Sequence, residues 1–213
     1  MTPIAGLYTI VDPRFLPPSM EVATYLAAVL RGGCRVVQLR VKPSSVSGDP
    51  QSVQHERETC ARVFAQARRQ CDFTWIMNDD VTAACAFGAD GIHVGADDPR
   101  VDAVRATLGQ GRLVGYSAHS LEEAQAAEAA GADYVAFGAI YPTTTKGPGH
   151  PVQGLERLRR VVRAVSIPVV AIGGITRERV AAVRETGAAA VALITGISGA
   201  VDVCREVAWY VGQ

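Results

Sequence analysis

Four stretches of this chain repeat one small design: GGCRVVQL (32–39), GADGIHV (88–94), GADYVAF (131–137) and GAAAVAL (187–193). Each opens on a glycine, passes one or two small or polar residues, and enters a mostly apolar run. Glycine ends a helix where the backbone must turn left-handed, because it has no Cβ to clash. A strand covered on both faces shows a continuous apolar run, not an alternating one. A helix that hands over to a doubly buried strand, several times along the chain, implies parallel strands joined by right-handed crossovers.

The same alternation extends through the whole sequence. Strands are expected at 7–11, 36–40, 74–78, 91–94, 113–117, 134–138, 169–173 and 190–195. Amphipathic helices are expected at 21–31, 55–70, 81–87, 100–108, 121–130, 155–165, 177–185 and 201–211. Eight strands and eight helices fit a single-domain α/β TIM barrel, (β/α)8, over residues 1–213, with an open doubly wound sheet as the competitor. The 213 residues, 48% hydrophobic, are enough for one sizeable core.

The charge balance narrows the function classes. Lysine plus arginine total 21, as do aspartate plus glutamate, and the pI is near 6.9. No basic surplus points to nucleic acid or to an anionic membrane. The start, MTPIAGLYTIVDP, lacks the basic stretch and apolar core of a signal peptide, and no apolar run reaches membrane-spanning length. Five scattered cysteines without a CxxC pair read as reduced thiols in a cytoplasmic protein.

In a TIM barrel the chemistry sits at the C-terminal strand ends and in the loops after them. Strand 2 ends in QLRVK, and the two-residue period puts Gln38, Arg40 and Lys42 on one side. Two cations and an amide at a strand mouth suit an anion site, although a solvated strand end is the plain alternative. Strand 3 ends in Asn78-Asp79-Asp80, and strand 4 leads through His93 to Asp97-Asp98. Carboxylates from adjacent strands suit Mg²⁺, which takes one or two of them plus substrate phosphates. Asp80 precedes a helix and reads as its cap, while Asp79 reads as the ligand. Asp98, before Pro99, is expected both to bind metal and to cap. His93 reads as a packed strand residue. Ser117 at the end of strand 5 is placed to meet a ligand, whereas Ser120 with Glu123 forms a capping box.

Strand 6 runs into YPTTTKG (141–147). Thr143 and Thr145 offer hydroxyls and Lys146 a movable cation. GPGHPVQG (147–154) then reads as a lid. Gly173-Gly174 after strand 7 and Ile194-Thr195 at the end of strand 8 lie where this fold usually binds phosphate. Two anion sites on one rim, one of them with metal, suggest a diphosphate substrate beside a monophosphate one.

With these motifs in order (QLRVK, NDD, GIHVGADD, VGYSAHS, DYVAFGAIYPTTTK, IPVVAIGGI, VALIT) the chain resembles the thiamine phosphate synthase family from near residue 6 to near 198. The resemblance implies a Mg²⁺-dependent transferase. It would join an aminopyrimidine (hydroxymethylpyrimidine) diphosphate to a thiazole phosphate, or its carboxylated form, and release pyrophosphate through a dissociative pyrimidine cation. It implies Arg40, Lys42, Asn78, Ser117 and Lys146 at the diphosphate, with Arg40, Lys42, Ser117 and Lys146 catalytic. It implies Asp79 and Asp98 at Mg²⁺, and Gln38 and Tyr8 at the pyrimidine. Thr143, Thr145, Gly174, Ile194 and Thr195 would hold the thiazole phosphate. The chain departs from the family pattern at Ala96-Asp97 (Gln-Glu is usual), Ala139 (Pro) and Thr195 (Ser), and 43–56 reads as a longer loop. A TenI-like thiazole isomerase and a non-catalytic phosphate-binding barrel are the other readings. The expected partners are small molecules, with neither nucleic acid nor membrane. A homodimer is compatible with such a barrel, but no interface is legible.

Overall fold

The computed structural model describes residues 4–43, 49–143, 145 and 151–213. Eight parallel strands close into a barrel in sequence order: β1 (Gly6–Val11), β2 (Val36–Leu39), β3 (Thr74–Asn78), β4 (Gly91–Val94), β5 (Leu113–Ala118), β6 (Tyr134–Gly138), β7 (Val169–Ile172) and β8 (Ala190–Leu193). β8 closes on β1, with Leu7 opposite Val191. The main helices are α1 (Val22–Arg31), α2 (Pro50–Arg68), α3 (Val81–Phe87), α4 (Val101–Leu108), α5 (Leu121–Ala129), α6 (Gly154–Ala164) and α7 (Arg177–Arg184). A short α8 (Thr195–Ser198) and then α9 (Val203–Val211) follow β8. The expected barrel is therefore present, and the open sheet is excluded.

Strand periodicity divides the core in two. Leu7, Val37, Trp75, Ile92, Val135, Val169 and Val191 point outward and pack under the helices. Tyr8, Ile10, Val36, Ile76, Tyr134, Val170 and Ala192 point inward and fill the barrel. That is why the strands read as apolar throughout: both faces are covered. The four repeat glycines Gly33, Gly88, Gly131 and Gly187 all adopt positive φ, as the repeat required.

The repeat also has a second purpose that its spacing did not disclose. Asp90, just before β4, accepts the Trp75 N–H at 2.7 Å and pairs with Arg68 of α2. Asp133, just before β6, accepts the Val114 N–H at 2.7 Å and pairs with Arg105 of α4. Each Gly-Ala-Asp thus ties the start of one strand to its neighbour and to a helix.

Four expectations are corrected. The stretch 43–56 is not wholly a loop, since α2 begins at Pro50. Asp49 caps it by accepting the Gln51 and Ser52 N–H groups at 3.3 and 3.0 Å, so Asp-Pro was a legible start signal. β8 stops at Leu193 because Ile194, at φ −115° and ψ −87°, leaves the extended region and starts α8. With α8 there are nine α-helices among the described residues, one more than expected. Finally, Asp98 caps no helix: Arg100 occupies the N-cap of α4, and Asp98 instead accepts the Gly95 N–H at 2.8 Å, closing the turn after β4. Asp80 does cap α3, accepting the Ala83 N–H at 2.8 Å, and Ser120 caps α5 through the Glu123 N–H at 3.1 Å.

All five cysteines are unpaired. No helix among the described residues is long and apolar enough to cross a membrane.

Candidate active site

The C-terminal ends of the strands surround a cavity of about 570 Å³. Tyr8, Gln38, Arg40, Asn78, Ser117, Thr143, Thr145, Gly174, Ile194 and Thr195 all line it. Ten residues expected from scattered places in the sequence therefore meet in one space, which is within the usual size range for small-molecule sites. Lys42, Asp79 and Asp98 stand beside the cavity, not in its wall. Lys146 and Thr144 lie outside the described residues.

On the β1–β4 side the rim is densely charged. Arg40 donates to Asp12 Oδ2 at 2.5 Å. Asp12 is fully buried, and it also accepts the Arg14 N–H at 3.1 Å and the Arg14 guanidinium at 2.7 Å. A carboxylate buried beneath two arginines fixes where Arg40 can point. Asp12 went unnoticed in the sequence, though it follows β1 directly and the strand-end rule should have caught it.

Lys42 pairs with Asp79. Asp79 is carried on the last rung between β3 and β4, its N–H donating to the His93 carbonyl at 2.9 Å. Its carboxyl lies against that of Asp98. Burial, and then the nearness of Asp98, holds the Asp79 carboxyl above the usual carboxylate range, while Lys42 opposes that shift. Two carboxylates forced together with one ammonium are short of positive charge, which is the chemistry a divalent cation satisfies. The neighbouring Asn78 is buried on the cavity wall, and its Nδ2 has no hydrogen-bond partner. Orphaned buried donors are rare, and this one belongs to a residue in the wall of the space an anion would fill.

Across the floor runs a continuous polar chain. Gln38 Nε2 donates to Tyr8 Oη at 2.8 Å, and Tyr8 Oη meets Tyr134 Oη at 2.9 Å. Tyr134 Oη lies 3.1 Å from His93 Nδ1, and His93 Nε2 lies 2.9 Å from Ser117 Oγ. Burial pushes both phenols well above their ordinary pKa, so both stay neutral and pass hydrogen bonds. His93 is packed, as expected, with its ring stacked on Tyr134 at 5.5 Å, but it also lines the cavity and orients Ser117. Tyr134 was missed because it begins β6 and so lies far from the strand's C-terminal end. Only its inward register pointed to it.

The opposite side is built from close backbone. Thr143 Oγ1 accepts the Thr145 N–H at 3.3 Å and lies 3.3 Å from Thr145 Oγ1. Gly174 has φ +64°, and a Cβ there would meet the Pro142 carbonyl at 2.5 Å, so only glycine allows the β6 and β7 loops to approach this closely. The first turn of α8 presents Thr195 and Gly196 to the same space. Arg179, on α7, also lines the cavity. It was missed because it sits in the first turn of a helix and not at a strand end.

A sequence profile of the family described as thiamine monophosphate synthase matches residues 7–197. The chain belongs to the thiamine monophosphate synthase family. A thiamine-phosphate synthase of Caldivirga maquilingensis is 40% identical over 200 residues, 92% of this chain and 90% of that protein. One of Bacillus velezensis is 40% identical over 186 residues, 86% of this chain and 80% of that protein. The solved thiamine phosphate pyrophosphorylase of Pyrococcus furiosus is 32% identical, with a TM-score of 0.82 over 98% of this chain and 96% of that one. The family match runs from β1 through β8 and spans both sides of the cavity.

Proposed function

We propose that this barrel is a thiamine phosphate synthase that joins an aminopyrimidine diphosphate to a thiazole phosphate (or its carboxylated form) and releases pyrophosphate. Family membership sets the reaction class. The observation that carries the assignment to this cavity is the meeting of two differently built anion subsites across a single polar floor. One is charged and carboxylate-rich, at β2–β4. The other is made of glycine, threonine and backbone, at β6–β8.

In this reading Arg40, Lys42, Asn78, Ser117 and Lys146 hold the diphosphate. Asn78, whose buried Nδ2 has no partner among the described residues, would turn that donor toward one of the diphosphate oxygens. Asp79 and Asp98 would hold Mg²⁺, and the crowding of their carboxyls fits a cation. When bound, the ion supplies charge neutralisation on the diphosphate. Gln38 and Tyr8 orient the pyrimidine over the floor. Thr143, Thr145, Gly174, Ile194 and Thr195 hold the thiazole phosphate.

The bond between the pyrimidine methylene and the diphosphate oxygen breaks first, and its electron pair leaves with pyrophosphate. The amino group stabilises the resulting cation. The thiazole nitrogen then donates its lone pair to the methylene carbon. No protein nucleophile is consumed, so the protein contributes alignment and electrostatics. Arg40, fixed by Asp12, and Ser117, oriented by His93, provide donors that need little reorganisation.

The test is direct. Purified protein, both substrates and Mg²⁺ should yield thiamine phosphate and pyrophosphate, and EDTA should abolish the yield. If thiazole phosphate binds but no product forms, the synthase assignment fails and a TenI-like isomerase or a non-catalytic binding barrel takes its place.

A further inference from the structure

The cavity wall carries two arginines among the described residues, and their charges are treated differently. Arg40 faces a buried carboxylate, Asp12. Arg179 has no acid within ion-pair distance among the described residues. Its neighbour Glu178 feels the charge but makes no salt bridge with it, and accepts instead from Thr176 Oγ1 at 2.6 Å. Arg179 is nevertheless held in place. Its Nη1 donates to the Gly174 carbonyl at 2.7 Å, and its guanidinium lies over the Tyr141 ring, 4.6 Å from the centroid. The side chain is half-buried. An immobilised guanidinium, partly desolvated and without a salt bridge, attracts an anion more strongly than a solvated one, and its fork matches phosphate oxygens.

The surroundings say which anion. Arg179 stands beside Gly173, Gly174 and Gly196, with the Thr143 and Thr145 hydroxyls in the same wall. This is the subsite built from backbone and hydroxyls, away from Asp79 and Asp98. We propose that Arg179 is a substrate-binding residue that recognises the phosphate monoester of the thiazole and sets the preference for the phosphorylated substrate over its free alcohol. The proposal rests on the synthase reading for the identity of the substrate, and on the fixed guanidinium without a salt bridge in the cavity wall for the rest.

The main rival is a purely structural part, with Arg179 only clamping the Gly174 loop to Tyr141. Arg179→Gln separates the two, because the amide still donates to a carbonyl but carries no charge. The KM for thiazole phosphate should rise about tenfold to a hundredfold, the effect of losing a charged hydrogen bond. The KM for the pyrimidine diphosphate and turnover of the unphosphorylated thiazole alcohol should stay unchanged, and Arg179→Lys should restore part of the loss. Calorimetric titration with thiazole phosphate, and with inorganic phosphate as a competitor, reads the same contact without turnover. An unchanged phosphate-to-alcohol preference in Arg179→Gln overturns the proposal, and so does an equal loss on both substrates, which is the signature of the clamp. A wild type that makes no thiamine phosphate, yet binds thiazole phosphate through Arg179, sinks the synthase reading and leaves this one standing. Failure of the wild type to bind thiazole phosphate at all overturns both.

Discussion

Asp79 has φ +62°, a left-handed backbone that asparagine accepts far more readily than alanine. Asp79→Asn is therefore the cleaner probe of the metal site. It removes one charge from the Asp79–Asp98 pair without forcing the chain to refold locally. Mg²⁺-dependent turnover is expected to fall by orders of magnitude while the urea midpoint stays within the change of about 1 kcal/mol usual for single substitutions. Turnover near the wild-type rate would remove Asp79 from the metal site. Asp12 calls for the opposite expectation. Asp12→Ala leaves Arg40 and Arg14 without their shared carboxylate, and breaking such a pair is expected to cost about 3 kcal/mol in urea unfolding, with lower activity from a displaced Arg40. A stability loss under 1 kcal/mol, on the scale of a surface pair, would show that the arginines find other partners. At this scale sequence reasoning did well where side-chain parity from a strand end was enough, as for Gln38 and Arg40. It failed where a role depends on partners distant in sequence. Nothing near Arg179 in the chain reveals that it lines the cavity without a salt bridge.

Among the elements, the strands were the most legible and the helix starts the least. A doubly buried strand must be apolar along its whole length, so TWIMN and YVAFG could hardly be anything else. α2 begins five residues before expected because its first turns, Pro50–Gln54, are mostly polar and solvated. There the cap, not the periodicity, defines the start. The Gly-Ala-Asp repeat shows the same limit. Its glycine was readable as a left-handed turn, but its aspartate needs a neighbouring strand N–H and a helix arginine before it has a meaning. Asp90→Ala removes both contacts at the N-terminal end of the barrel, the end concerned with stability and not with chemistry. It should lower unfolding free energy by about 1–3 kcal/mol, the cost of an orphaned buried donor. Substrate KM values measured well below the melting transition should not move. A selective change in KM would mean that the lower barrel end communicates with the cavity.

The molecule as a whole is organised around the polar chain that crosses its interior. Gln38, Tyr8, Tyr134, His93 and Ser117 come from β2, β1, β6, β4 and β5, so one line of hydrogen bonds ties five of the eight strands. Gly115 of β5 makes room for it. Gly115 is the register partner of Tyr134, and a Cβ there would stand 2.1 Å from the tyrosine ring. The chain has a direction, set at one end by chemistry. The Gln38 amide nitrogen can only donate, so the Tyr8 hydroxyl accepts from it and has its own proton for Tyr134. Tyr134 can then donate to His93 Nδ1, which leaves the proton of a neutral imidazole on Nε2, facing Ser117. In this way the tautomer of a cavity histidine on β4 is tied, through tyrosines of β1 and β6, to a glutamine on β2. Tyr134→Phe breaks the line at its centre and removes one hydrogen bond each from the Tyr8 hydroxyl and His93 Nδ1. It should cost about 1–3 kcal/mol in unfolding free energy, from two buried hydrogen bonds lost. Tyr8→Phe removes the same central bond from the other side. If the line acts as a unit, the double variant loses less than the sum of the single losses, by about 1 kcal/mol. Nitrogen-15 chemical shifts of His93 should show mixed tautomers in Tyr134→Phe and one tautomer in the wild type. Strict additivity, with an unchanged His93 tautomer, would reduce the chain to separate pairs and leave the orientation of Ser117 to contacts at its own strand.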